Sequence, residues 1–366
     1  MSWQHLDESD IRVRPNPRGS RRRTKDRPAH EDAVPGFVTG VDRGRYAVLV
    51  AAGAAGRRTP EHTVTAMKAR ELGRKGVVVG DEVALVGDVG GGPDALARIV
   101  RVEPRRSVLR RSADDTDAVE RVIVANADQL VIVSALANPE PRPRLIDRCL
   151  VAAYDAGLEP LLVLTKADLR SPDAFLATYA PLAVPFVVTS WHGRMSQASG
   201  EDTGGGVVDG LAELREHLDG RISVFVGHSG VGKSTLVNEL VPDARRATGD
   251  VNDVTGRGRH TSTSAVALRL SDDQGWVIDT PGVRTFGLAH VDVARIITFF
   301  PDLEPGTVEC PRGCTHDEPD CALDDFVASG AAGPAGAARL DSIRRLLRAR
   351  LGQDAGEAAQ SSETDD

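Results

Sequence analysis

Apolar and polar residues alternate in short runs between Gly36 and about residue 105, through "GFVTGVDRGRYAVLV", "HTVTAMKAR", "KGVVVGDEVALVG" and "ALARIVRVEP". This period of two, broken by glycine-containing turns at regular spacing, predicts a small all-β barrel, and the oligonucleotide-binding type fits the length. From Ala125 the pattern changes. Apolar runs such as "QLVIVSA", "PLLVLTKADL", "VPFVVTS", "ISVFVG" and "GWVIDT" alternate with amphipathic stretches such as "PRLIDRCLVAAYDAG" and "LAELREHL". That alternation predicts a parallel α/β sheet flanked by helices. Leu145, Ile146, Cys149, Leu150 and Ala153 recur at helical spacing, which makes Cys149 core filling. From about Ala294 the pattern predicts helices around a cysteine-rich insert, ending in "ARLDSIRRLLRARL".

A chain of 366 residues has room for two or three such domains. The expected division is a basic, unstructured arm over 1–34, the barrel over 35–110, the α/β domain over 111–293, a helical module over 294–351 and an acidic tail over 352–366. No apolar run approaches the roughly 18 residues that a membrane span needs. The start of the chain is polar and then basic, without a secretory core, so a cytoplasmic protein with reduced cysteines is expected. The net charge of -8 argues against a nucleic-acid binder, but the average hides an asymmetry. Between Ile11 and Arg27 there are eight Lys or Arg against Asp26 alone. Such an arm suits phosphate backbones, or is a solvated leader. Arg43, Arg45, Lys68, Arg70, Arg74 and Lys75 give the barrel a basic surface with few aromatics, suited to phosphate contacts rather than base stacking; a purely structural barrel is the alternative.

Chemistry enters with "GHSGVGKST". Gly227, His228, Ser229, Gly230, Val231, Gly232, Lys233, Ser234 and Thr235 follow a buried strand and open a predicted helix, the context a phosphate-binding loop requires. Backbone N–H groups would wrap the phosphates, Lys233 would reach the β and γ positions, and Ser234 would bind Mg²⁺. "WVIDTPG" adds Asp279 for the Mg²⁺ shell and Gly282 to sense the γ-phosphate. In "TKAD", Asp168 can accept hydrogen bonds from guanine while the stem of Lys166 covers the ring; Thr165 stands where Asn is usual. Ser190, at the end of "VVTS", suits a second guanine loop, although Trp191 follows it where Ala is usual.

Both guanine loops precede the phosphate loop, the reverse of the usual GTPase order. Each motif still follows its own strand, so the chain resembles a circularly permuted GTPase. The fold class expected is therefore multidomain: an N-terminal oligonucleotide-binding type of barrel, a central permuted α/β P-loop domain, and a C-terminal helical zinc module. For the last, "CPRGCTHDEPDC" supplies Cys310, Cys314, His316 and Cys321, a Cys₃His set suited to one closed structural Zn²⁺.

This order of parts resembles the ribosome small subunit-dependent GTPase A family, RsgA, from about Gly36 to Leu351. "VGDEVAL", "VEPRRSVLRR" and "GRGRHTST" carry the resemblance outside the phosphate loop. The zinc motif departs from it, with one residue fewer between the first two cysteines and one fewer before the last. The resemblance implies GTP as substrate and GDP as product, and the small ribosomal subunit and its rRNA as partners; a monomer without membrane association is expected. It implies a switch segment in "GRGRHTST" with Thr261, then Thr263, as candidates for the Mg²⁺-sensing threonine. Val283 follows "DTPG" in place of a water-positioning Gln, and the resemblance points to His260 for that role. A maturation GTPase stimulated by the subunit is the leading expectation. A nucleotide-gated RNA-binding switch with little turnover, and an ATPase that makes no use of "TKAD", are the alternatives.

Overall fold

The computed structural model describes residues 30–56, 59–73, 76–92, 95–111, 121–192, 207–242, 265–270, 275–280, 288, 291 and 296–351. The architecture below is that of the unit Ala33–Asp366.

Strands β1 (Val34–Asp42), β2 (Arg45–Val50), β3 (His62–Lys68), β4 (Glu82–Gly87) and β5 (Ala97–Val102) form the barrel. They pair in the order β1-β2-β3-β5-β4, and β4 returns to β1 to close it. All pairs are antiparallel except β3 with β5. The alternation read from the sequence is what fills the interior: Val38, Val48, Val50, Val64, Ala66, Val83, Leu85, Ala97 and Ile99 are buried together.

A hairpin of β6 (Val108–Arg111) and β7 (Arg121–Ala125) leads into the α/β domain. There follow β8 (Gln129–Ala135), α1 (Pro143–Ala156), β9 (Glu159–Thr165), α2 (Asp173–Tyr179), β10 (Phe186–Val188), β11 (Ser190–His192), β12 (Val207–Asp209), α3 (Leu211–Leu218), β13 (Arg221–Gly227), α4 (Lys233–Leu240), β14 (Val266–Arg269) and β15 (Gly275–Asp279). The sheet order is β10-β9-β8-β13-β15-β14. The first five strands are parallel, and β14 runs antiparallel to β15. Every residue of β8 is buried, as expected of a central parallel strand covered on both faces. Helix α1 begins with Pro143 in its first turn and ends at Gly157 in the left-handed region, the start and stop that these residues favour. The segment "VALR" of β14 and the β6–β7 hairpin are strands that the sequence pattern did not single out.

The C-terminal module comprises a 3₁₀ turn (Glu304–Glu309), α5 (Ala322–Ala328) and α6 (Gly336–Leu351). Leu340, Ile343, Leu346 and Leu347 of α6 pack into the same core as α1. Arg345 donates to the buried Asp147 of α1 at 3.0 Å and lies over the Tyr179 ring, so the last helix is docked on the α/β domain. Among the described residues no helix is long and apolar enough to cross a membrane.

Among the described residues, two contacts of unequal strength stand out where the barrel meets the α/β domain. The first is buried. Asp81, fully enclosed, accepts from Arg105 Nε at 2.7 Å, Arg105 Nη2 at 2.9 Å and the Val78 N–H at 2.8 Å. Beside it, Asn126 donates to the Gly80 carbonyl and accepts from the Arg106 N–H, both at 2.8 Å. Gly80 has φ +89°, and a Cβ there would lie 2.0 Å from the Ala125 carbonyl oxygen, so only glycine fits the crossing. The motifs "VGDEVAL" and "VEPRRSVLRR" therefore meet in space.

The second contact is half-buried, with its charged groups partly exposed. Val266 at the start of β14 pairs with Gly40 of β1, extending one sheet into the other. Arg269 of β14 forms a two-pronged ion pair with Glu61 of the barrel, 2.8 Å on each prong, and lies 4.9 Å above the ring of Trp276, which in turn meets Phe37 at 5.0 Å. An exposed ion pair contributes ~0–1 kcal/mol and an exposed cation–π contact roughly 0.5–1 kcal/mol. Removing one member of a buried pair costs more, about 3–5 kcal/mol, because the other charge is left without a partner. Asp81→Ala should therefore lower the unfolding free energy by roughly 3–5 kcal/mol in urea melts, whereas Glu61→Gln should change it by about 1 kcal/mol or less.

Candidate nucleotide site and metal centre

Parallel strands bring their carboxyl ends to one edge of the sheet, and that edge is where the candidate nucleotide residues gather. Gly227 ends β13, Thr165 ends β9 and Asp279 ends β15. The loop after β13 turns through Gly230 and Gly232, both with positive φ, and Gly232 is the residue from which α4 starts. Lys166, Gly227, His228, Ser229, Gly230, Gly232, Lys233, Ser234 and Thr235 line a cavity of about 460 Å³, together with Thr280.

Lys233, which lines this cavity, ion-pairs through Nζ with Asp279 Oδ1, bringing the candidate phosphate lysine and the candidate metal carboxylate together; Asp279 itself does not line the cavity. The Ser234 hydroxyl and the Asp279 carboxylate are hard oxygen donors, the type Mg²⁺ prefers. Val231 does not line the cavity. It is buried behind the loop, and its carbonyl accepts from Thr165 Oγ1 at 2.6 Å. Thr165 is likewise buried, so the hydroxyl that replaces the usual Asn ties the "TKAD" loop to the back of the phosphate loop.

The two candidate guanine loops also meet each other. Asp168 Oδ1 accepts from the Trp191 N–H at 3.3 Å, and the Ala167 N–H donates to the Thr189 carbonyl at 3.2 Å. Ser190 donates to Asp209 at 3.4 Å, within the β11–β12 pairing. Lys166 has φ +60° and its ammonium donates to the Asn138 carbonyl. His260, Thr261, Thr263 and Gly282 lie outside the described residues.

Sequence reasoning passed over two participants. Thr280 lines the cavity while donating to the Phe225 carbonyl at 2.9 Å; its signal was its place in "DTPG". The main-chain N–H of Trp191 left no signal, because a backbone group carries no side-chain identity. Cys149 behaves as core: burial pushes its thiol up to about 12, so it stays protonated and inert.

At the other end of the chain, the ligand atoms of Cys310, Cys314, His316 and Cys321 all lie within 4.8 Å of one another. Cys310 Sγ is 3.9 Å from Cys321 Sγ and 3.7 Å from His316 Nδ1. A tetrahedral Zn²⁺ with ~2.3 Å bonds to sulfur has S–S edges of about 3.8 Å, so the donor set fits that ion. Desolvation lowers the His316 pKa, which keeps the imidazole neutral and able to ligate. Glu318 braces the loop by accepting from the Thr315 hydroxyl at 2.7 Å and from its N–H; the hydroxyl is the main reason its carboxyl is held down at about 2. Arg344 of α6 donates to the His316 carbonyl at 2.9 Å and pairs with Asp324, fixing the loop to the helix.

Two measurements follow from this geometry. Thr165→Val leaves the Val231 carbonyl without its partner, which should cost roughly 1–3 kcal/mol of stability and weaken guanine-nucleotide binding, while Thr165→Ser should restore most of both. Elemental analysis of purified chain should find zinc bound in a ratio near one; Cys321→Ser should release it and unfold the C-terminal module, seen as loss of the α6 signal in hydrogen exchange.

The chain is similar to proteins of known family over most of its length. The RsgA GTPase family profile matches residues 102–289. The protein named small ribosomal subunit biogenesis GTPase RsgA from Pseudomonas putida is 42% identical over 274 residues, covering 72% of this chain and 73% of its own. Its counterpart from Pseudomonas aeruginosa is 40% identical over 281 residues, 74% and 75% of the two chains. Among solved structures, YjeQ from Thermotoga maritima aligns with a TM-score of 0.57 at 25% identity, over 87% of this chain and 99% of that one. YloQ, described as a circularly permuted GTPase, aligns with a TM-score of 0.57 at 22% identity, over 89% and 98%, a likeness of fold. With that profile spanning half of the chain and relatives at 40–42% identity over nearly three quarters of it, the chain belongs to the RsgA GTPase family.

Proposed function

We propose that the chain hydrolyses GTP as a late maturation factor of the small ribosomal subunit, in the cytoplasm and as a monomer, and that binding to the subunit speeds its turnover. The observation that supports this reading is the cavity lined by Lys166, the 227–235 loop and Thr280, with Lys233 ion-paired to Asp279 at the end of β15 and the "TKAD" loop fastened to the phosphate loop through Thr165. Asp168 and the Ser190 loop select guanine, the backbone from Gly227 to Gly232 wraps the phosphates, and Lys233 exchanges Asp279 for phosphate oxygens when GTP enters. Ser234 and Asp279 would hold Mg²⁺, which neutralises charge developing on the phosphates. Thr261, or Thr263, and Gly282 would complete that pole. His260 orients the attacking water, a role that Val283 cannot fill. The exposed Arg43, Arg45 and Arg70 of the barrel supply phosphate contacts to rRNA, and one structural Zn²⁺ on Cys310, Cys314, His316 and Cys321 holds the C-terminal module in shape.

The test is GTP hydrolysis by purified chain with and without small ribosomal subunits. Stimulation of tenfold or more is expected, with Lys233→Ala reducing turnover by roughly 10²–10³ and His260→Ala reducing the chemical step while leaving GDP affinity in place. If subunits bind without speeding turnover, the switch reading replaces this one. Equal competition by ATP, or no loss of guanine selectivity in Asp168→Asn, would overturn the guanine assignment.

A further inference from the structure

We infer that β14 makes the barrel a working part of the nucleotide site, with Arg269 as a positioning residue for Asp279. Val266 is the pivotal rung. On one side it pairs with Gly40 of the barrel strand β1, and on the other with Asp279 of β15, whose carboxylate meets Lys233. A displacement of the barrel edge therefore reaches the phosphate lysine through two successive backbone pairings and one ion pair.

The tie is built to make and break. Among the described residues, Gly40–Val266 is the one pair that joins β1 to β14, and it adjoins an irregularity in β1 between Val38 and Gly40. Its reinforcement is the Glu61–Arg269 ion pair and the layer in which Arg269 covers Trp276 and Trp276 meets Phe37. Trp276 stands three residues before Asp279 and pairs with Arg269 across the strands, so this layer grips both β14 and β15. Its charges are partly exposed, whereas the Asp81–Arg105–Asn126 contact at the other junction is buried. The barrel thus has one firm anchor and one yielding edge, and the yielding edge is the one in line with Asp279. Because coupling between two sites is reciprocal, a ligand that reseats the barrel must change the nucleotide pole, and nucleotide must change the barrel's affinity by the same factor.

This inference rests on the proposed rRNA partner only for the identity of the barrel's ligand. The test uses full-length chain loaded with zinc and compares the parent with Arg269→Met and Arg269→Lys by hydrogen exchange of the amides of Gly40 and Val266–Arg269, and by the Mg²⁺ concentration that half-saturates GTP hydrolysis. Arg269→Met should speed exchange in β14 about tenfold and raise the Mg²⁺ requirement about fivefold, with exchange in β8 and β9 unchanged; Arg269→Lys, which keeps the charge over Trp276, should stay within about twofold of the parent. Stimulation by small subunits should fall about fivefold in Arg269→Met. Unchanged β14 exchange and Mg²⁺ requirement in Arg269→Met would overturn the inference, as would a uniform rise in exchange across the whole sheet. A parent chain that subunits fail to stimulate would overturn the proposed partner, and the exchange and Mg²⁺ measurements would still decide the coupling.

Discussion

The carboxylate of Asp81 is the constraint on which the arrangement of the molecule depends. It is fully enclosed, and a buried charge is tolerated only when paired and hydrogen-bonded. Arg105 supplies both prongs, and the Val78 N–H supplies a third donor. Satisfying Asp81 thus fixes the segment that leaves the barrel, and the neighbouring Asn126 fixes the segment that enters the α/β domain. Gly80 allows the two backbones to cross within contact distance. From that junction onward, Asp128 continues the chain of contacts by accepting from the Ile222 N–H at 2.8 Å, at the foot of the strand that carries the phosphate loop.

The same economy of contacts explains why the reversed motif order leaves the site intact. What the chemistry needs is a set of strand ends at one edge, and parallel pairing of β9, β8, β13 and β15 provides it whatever the order of connection. Thr165 and Val231 stand 66 positions apart in the chain and share a hydrogen bond of 2.6 Å. Spatial adjacency of β8 to both β9 and β13 brings them together, since β8 pairs with each.

Legibility from sequence followed the physics of each segment. The strands β8 and β13 were plain because burial of their central residues on both faces leaves mostly apolar runs, and α3 coincides with "LAELREHL" because its apolar residues keep helical spacing. The zinc ligands were visible because all four fall within twelve residues, and their side-chain types carry the chemistry. By contrast, β14 is four residues long and only half its positions are buried, too short for a period to register. The Asp81–Arg105 pair lies in quoted motifs but joins residues 24 apart, and nothing in either motif names its partner. Thr165 was seen as a substitute for Asn, yet its bond to Val231 depends on how two strand ends abut. Trp191 contributes through its main chain, which no residue code reports.

One consequence of the sheet order concerns the company the molecule keeps. A β-sheet normally has two rims, each a template on which another chain can add a strand. Here one side of the sheet runs through β14 into a barrel that closes on itself, so that rim is largely consumed within the fold. The other ends in β10, whose three residues offer too short a ladder for stable strand addition. Among the described residues, the sheet therefore offers little open ladder at either rim.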